Sequence, residues 1–184
     1  QVQRVMPNDS FYFSIVRDPG TLGESAFSYF RAAAPAFRRS PSLDAFLASP
    51  SRFFRPGIRG NHYARNLQWF DFGLPEPVDP RRIPGILEEL ERVFPLVLLA
   101  ERFDESLVLL RHRLCWPRRA VDLFPHNSRG DKPQNPDPEG RRRRLRAWNS
   151  LDWALYSHFN RSFWRHAREF GMERLGKEVE ELRR

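Results

Sequence analysis

The sequence predicts an α/β fold in which a parallel sheet is flanked by helices. Three observations carry this. The aromatic and β-branched run Phe11 to Val16 reads as a buried strand. The apolar run Phe94 to Ala100 reads as a second. Helix-start patterns follow both runs and a helical pattern precedes the second, an order that favours parallel pairing.

Element by element, Arg17-Asp18-Pro19-Gly20 ends the first strand. Thr21-Leu22-Gly23-Glu24 then has the form of a capping box, with Thr21 as N-cap, and predicts a helix to about Ala34. Pro35, Pro41, Pro50 and Pro56 interrupt the next stretch, which reads as an irregular surface segment holding a short helix, Leu43 to Ala48, capped by Ser42. Asn61 to Phe72 is ambiguous. Asp79 or Pro80 opens a helix through Ile83, Leu87, Leu90 and Val93. After the second strand, Asp104 is the predicted N-cap of a helix carrying Leu107, Leu110 and Leu114 on one face. Residues 117–146 read as a mobile basic loop, rich in proline and ending in Arg141 to Arg144 and Arg146. Asn149 or Ser150 caps a last helix from Leu151 towards Leu182, with a solvent-facing charged end from Glu178.

The 184 residues predict one domain, or most of one. A hydrophobic content of 40% with 16 Phe suffices for a packed core, which excludes disorder of the whole chain. The single cysteine, Cys115, excludes an intrachain disulfide and a four-cysteine zinc site. The longest apolar run, Val93 to Ala100, is far short of the roughly 20 residues of a membrane span, and no secretory signal is evident. The chain opens on Gln1 and runs almost at once into a strand, so it reads as a fragment lacking an N-terminal portion. A missing central strand is expected to leave apolar edges exposed. A net charge of +8 points to an anionic partner: nucleic acid, acidic lipid, or a phosphate- or sulfate-bearing ligand.

The residues with most chemical content lie in the first strand, loop and helix. Arg17 sits at the carboxyl end of the strand and Ser25 lies eight residues on, at N4 if Thr21 is the N-cap. Ligands of open α/β sheets bind beyond the carboxyl ends of strands. A helix N-terminus offers free N–H groups and a positive dipole end. A guanidinium suits bidentate phosphate contact, and a serine hydroxyl adds a hydrogen bond. Together these groups suit a phosphate monoester. The plainer alternative is a salt-bridged turn with Ser25 on the helix surface. The GxxxxGK[ST] signature of a nucleotide P-loop is absent here, and the residues alone leave both readings open.

Phe13-Ser14-Ile15-Val16-Arg17-Asp18-Pro19 followed by Glu24-Ser25 resembles the 3′-phosphate-binding motif of sulfotransferases. Three blocks extend the likeness: Pro7 to Phe13 running into Arg17-Asp18-Pro19; Phe103 to Leu110 with Leu114-Cys115-Trp116; and Ala147-Trp148-Asn149 with Leu151-Asp152, Leu155-Tyr156, His158-Phe159-Asn160 and Ser162-Phe163-Trp164. In this wider pattern the chain resembles the galactose-3-O-sulfotransferase family, which includes the galactosylceramide sulfotransferases. The resemblance implies a sulfotransferase-like, P-loop nucleotide hydrolase-type fold, of which residues 1–184 form the C-terminal part. It implies transfer of a sulfuryl group from 3′-phosphoadenosine 5′-phosphosulfate to the 3-hydroxyl of galactose, with Arg17 and Ser25 on the donor's 3′-phosphate and no metal. It further implies a galactose-terminated glycolipid or glycan acceptor, no nucleic acid, a Golgi membrane protein with a luminal catalytic domain, and an anchor, a phosphosulfate loop and catalytic residues upstream of this sequence.

Other candidates have plainer alternatives. The run Arg141 to Arg146 either closes over the donor or is a solvated charged loop. Glu101 and Asp104, after the second strand, either position a sugar hydroxyl or serve the helix start. His158 reads foremost as a hydrogen-bonded core histidine, and His62, His112, His126 and His166 lack metal-ligand spacing. Trp153, Phe159, Phe163 and Trp164 read as core, although an exposed Trp suits a sugar face. Asn8-Asp9-Ser10 and Asn160-Arg161-Ser162 are N-glycosylation sequons. The competing function is a non-catalytic basic module that binds polyanions, sulfated glycan or nucleic acid.

Overall fold

A computed structural model describes residues 5–121 and 137–183. In chain order the elements are β1 (Phe13–Val16), α1 (Pro19–Tyr29), α2 (Pro35–Arg38), α3 (Leu43–Ala48), α4 (Pro50–Phe53), α5 (Leu67–Asp71), α6 (Ile83–Val93), β2 (Leu96–Leu99), α7 (Phe103–Arg113), α8 (Pro138–Trp148), α9 (Ser150–Phe170) and α10 (Met172–Leu182). Short 3-10 turns cover Asn61–Ala64, Pro80–Arg82, Ala100–Arg102 and Arg118–Val121. The chain forms two compact units: Gln1–Val16, Asp79–Leu123 and His158–Arg184 in the first, Arg17–Val78 and Phe124–Ser157 in the second.

The first unit holds the sheet. β1 and β2 pair in parallel, Phe13 opposite Leu96 and Val16 opposite Leu99, as the order of elements predicts. All four β2 residues are buried, which explains their unbroken apolar run. β1 alternates instead: Phe13 and Ile15 are exposed and Val16 is buried. The Ser106 hydroxyl of α7 accepts from the Leu99 N–H and donates to its carbonyl, both at 3.1 Å, tying helix to strand end. Three expectations fail in this unit. Asp104 is not an N-cap: α7 starts at Phe103 without a side-chain cap, and Asp104 accepts a hydrogen bond from Arg183 at 2.6 Å. The last helix is broken at Gly171, whose φ of +100° lies in the region glycine tolerates. The charged end does not all face solvent, because Glu178 is buried against Arg111.

The second unit packs α1, α8 and the short helices around Phe27, Phe37, Phe46 and Leu145. The expected irregular surface from Pro35 to Gly57 is here a source of core. Pro35 and Pro50 sit in the first turns of α2 and α4, where a missing N–H costs nothing, so they start helices rather than break order. Ser42 caps α3 as predicted, accepting from the Ala45 N–H at 3.1 Å. The ambiguous stretch becomes the Asn61–Ala64 turn and α5, whose Trp69 is fully buried and donates its indole N–H to the Pro75 carbonyl at 2.9 Å.

The mobile basic loop expected over 117–146 is also corrected where it is described. Its middle, 122–136, lies outside the described residues, but Arg141 to Arg146 lie on α8. Asp137 caps that helix by accepting from the Gly140 N–H at 2.8 Å, and Pro138 opens it. Leu145 anchors it so closely that a Cβ on Gly23 of α1 would lie 2.5 Å from the leucine methyl. Asn149 does not cap α9 with its side chain. Its amide donates to the Leu145 carbonyl at 2.9 Å and accepts from the Asn66 N–H at 2.8 Å.

Candidate functional site

Arg17 follows β1 directly, and the helix after it begins earlier than the capping-box pattern predicts. Asp18, not Thr21, is the N-cap. Its Oδ1 accepts from the Gly20 N–H at 2.7 Å, and its carbonyl accepts from the N–H groups of Thr21 and Leu22 at 3.0 and 2.8 Å. Pro19 has no N–H, so Asp18 satisfies the first turn by itself. The helix end therefore presents no free N–H row to a phosphate, contrary to the simplest sequence reading. Arg146 balances the capping carboxylate: its Nε donates to Asp18 Oδ1 at 3.0 Å and its Nη2 donates to Oδ2. Those hydrogen bonds to Asp18 raise the Arg146 pKa further.

Ser25 consequently lies almost two turns into α1 rather than at its fourth position. The relation of Arg17 to Ser25 survives through Thr21. Arg17 Nε donates to Thr21 Oγ1 at 3.1 Å, and that hydroxyl donates to the Asp18 carbonyl at 3.1 Å. Thr21 and Ser25 are four residues apart and share a helix face. Arg17, Thr21 and Ser25 thus line one flank of α1. Among the described residues, the terminal nitrogens of Arg17 and the hydroxyl of Ser25 engage no protein partner, and both residues are half-buried. This is a cation and a hydroxyl with unused donors on one partly solvated surface, suited to an oxyanion.

Two residues missed by local reading support this flank. The Gln68 side chain accepts from the Arg17 N–H at 2.6 Å and donates to the Arg17 carbonyl at 2.8 Å. The buried Asp152 carboxylate accepts from the N–H groups of Trp69 at 2.8 Å and Gln68 at 3.3 Å. Burial pushes the Asp152 pKa up to about 7 against those two donors, and the nearby Asp71 and Glu76 add to the rise. Asp152 stands in one of the family-like blocks; nothing local singles out Gln68.

The arginine run is mostly engaged within the unit. Arg141 Nε donates to Asp44 at 3.0 Å, Arg142 pairs with Glu139 at 2.6 Å, and Arg144 lies 3.6 Å from Asp44. Trp153 is exposed, with the Arg146 guanidinium 4.8 Å above its ring. In the first unit, Glu101 is exposed in the turn after β2. His158 Nε2 donates to the Glu91 carboxylate at 2.7 Å, as a hydrogen-bonded structural histidine should. Burial raises the Glu91 pKa, but hydrogen bonds from Ser162, Arg165 and His158 outweigh it and hold the group at about 2. Asn8 is exposed and Asn160 half-buried, while Ser162 of the second sequon is buried. Among the described residues no cluster of three or more His, Cys, Asp or Glu is placed to hold a metal, and no helix is long and apolar enough to cross a membrane. His126 lies outside the described residues.

An arginine and an open serine on one flank of a capped helix suit an oxyanion, and comparison with known proteins shows the family. The family model for galactose-3-O-sulfotransferase matches residues 1–184. Galactose-3-O-sulfotransferase 2 of Homo sapiens is 50% identical over 191 residues, covering 100% of this chain and 47% of the relative. Galactose-3-O-sulfotransferase 4 of Bos taurus is 42% identical over 252 residues, covering 100% of the chain and 52% of the relative. Galactosylceramide sulfotransferase of Homo sapiens is 42% identical over 189 residues, covering 100% and 44%. No solved structure matches significantly. The chain belongs to the galactose-3-O-sulfotransferase family. It spans about half the length of the curated relatives it matches.

Proposed function

We propose that the protein transfers a sulfuryl group from 3′-phosphoadenosine 5′-phosphosulfate to the 3-hydroxyl of galactose on a glycolipid or glycoprotein glycan, and that Arg17 and Ser25 hold the donor's 3′-phosphate. The same reading gives this chain a sulfotransferase-like, P-loop nucleotide hydrolase-type fold and places the protein in the Golgi membrane with its catalytic domain in the lumen. The observation that carries it is the flank of α1, where Thr21 accepts from the Arg17 Nε and Ser25 follows Thr21 by one turn on the same helix face. The phosphate is recognised from the side of the helix, because Asp18 closes the helix end. Sulfuryl transfer needs in-line placement of acceptor and sulfur and stabilisation of the departing phosphate. Arg17 and Ser25 contribute anchoring and orientation of the donor to that chemistry, not bond making.

The test is calorimetric titration of 3′-phosphoadenosine 5′-phosphate into the full-length protein and its Arg17→Ala variant, with adenosine 5′-phosphate as the control lacking the 3′-phosphate. Removing the charge-assisted hydrogen bonds of the guanidinium lowers affinity on the order of 10- to 100-fold, with heparin retention nearly unchanged. Unaltered nucleotide affinity in a folded variant refutes the assignment of Arg17. Parallel loss of nucleotide and heparin binding favours the polyanion module instead.

A further inference from the structure

The backbone of Arg17 is held in an unusual way. One side-chain amide, that of Gln68, engages both its N–H, at 2.6 Å, and its carbonyl, at 2.8 Å. A neighbouring strand would make the same kind of paired bonds, so the amide stands in for one at this residue. Gln68 is itself fixed. It is the second residue of α5, whose N-cap Asn66 has a φ of +49° and makes no side-chain cap. The Asn66 amide is engaged elsewhere, donating to Glu76 at 2.9 Å and accepting from the Leu151 N–H at 3.2 Å. The vacant capping role falls to Asp152 of α9, which accepts from Gln68 and Trp69. Trp69, the next residue, is fully buried and donates its indole N–H to the Pro75 carbonyl.

We infer that Gln68, set in place by Asp152, is a positioning residue that fixes Arg17 for the 3′-phosphate. The inference rests on the proposed role of Arg17. Among the described residues the Gln68 side chain makes no other hydrogen bond, so its amide serves Arg17 alone. An apolar side chain of equal length would fill the same space. What the amide adds is a fixed backbone beneath a long, rotamer-rich side chain, with Thr21 Oγ1 setting the far end of the same residue. Pre-organising Arg17 in this manner removes ordering cost from each binding event.

The readout is the ratio of affinities for 3′-phosphoadenosine 5′-phosphate and adenosine 5′-phosphate, which isolates the contribution of the 3′-phosphate. Titrations use the full-length protein, Arg17→Ala and Gln68→Met. Gln68→Met keeps volume and loses both hydrogen bonds. Its ratio is expected to fall about five- to tenfold with adenosine 5′-phosphate affinity unchanged, while Arg17→Ala loses the ratio almost entirely. A ratio lost in Arg17→Ala but intact in folded Gln68→Met overturns the positioning role and leaves Arg17 as the anchor. A ratio intact in Arg17→Ala overturns the anchor and this inference with it. Equal loss of affinity for both nucleotides in Gln68→Met shows general disruption and also overturns it. If Gln68→Met does not fold, Gln68→Glu, which keeps an acceptor for the Arg17 N–H and loses the donor to its carbonyl, carries the same comparison.

Discussion

Asp152 gives a sharp prediction because its sign runs against the usual behaviour of carboxylates. Its pKa stands at about 7 in the folded protein, against 3.8 for the free group, because burial outweighs the two backbone donors. A group raised on folding contributes stability fully present below the unfolded pKa and lost as pH rises through the folded one. The gap from 3.8 to about 7, at about 1.4 kcal/mol per pH unit, is about 4 kcal/mol. Other groups also shift on folding, Asp71 upward and Glu178 downward, so the wild-type curve alone does not isolate the effect. The difference between wild type and Asp152→Asn does. Asparagine keeps the shape and one carbonyl acceptor for these N–H groups, as the protonated acid does at pH 4, and it does not titrate, so it is the reference against which the loss is read. Between pH 4 and pH 8 the wild type should lose about 4 kcal/mol relative to the variant. Urea unfolding of both proteins across that range measures it. A stability difference that does not change with pH, or one that moves in favour of the wild type as pH rises, refutes the reasoning.

Two further outcomes test the packing around the site and the first unit. Asp18→Asn keeps an acceptor for the Gly20 N–H but loses its charge towards Arg146, and should cost about 1 kcal/mol in urea unfolding; Asp18→Ala loses both and should cost about 2 kcal/mol. Glu178→Ala leaves Arg111, buried on α7, without its carboxylate and should cost about 3–5 kcal/mol, whereas the Arg111→Met, Glu178→Leu double variant should recover most of that loss in thermal unfolding.

How far the sequence could be read depended on whether the information was local. The parallel pair was legible because β2 is buried on both faces and therefore apolar at every position. The α3 cap was legible because Ser42 acts three residues ahead, within one turn. The capping-box pattern at Thr21 placed the start of α1 three residues late, because Asp18-Pro19 read as a strand-ending turn; with Asp18 as cap and proline at the first helical position, Ser25 shifts along the helix without leaving the face it shares with Thr21. The helix α8 was hidden by its arginines, whose charge masks the anchoring Leu145. Gln68 and Asp152 were beyond local reading for another reason. They act across 51 and 84 positions of chain, and a glutamine in an ambiguous segment has no pattern that names its partner.

The charge of the chain illustrates the same distinction on the side of function. A surplus of eight cations suggests an anionic partner, and the densest cluster, Arg141 to Arg146, is the obvious place to seat it. In the structure that cluster is largely neutralised by Asp18, Asp44, Glu139 and Asp137, and it fastens α8 to α1 and α3. Arginines engaged in this way bind a polyanion only by giving up partners they already have, which weakens them as a binding stripe. Arg17 differs in kind rather than in number. Its backbone is clamped, its Nε is held by Thr21, and its terminal nitrogens face no carboxylate among the described residues. One oriented cation with unused donors discriminates a phosphate monoester by geometry, whereas a run of paired ones responds to charge density and salt. Nucleotide affinity should therefore track Arg17, and loss of charge at Arg143 or Arg144, exposed on α8, should leave it unchanged.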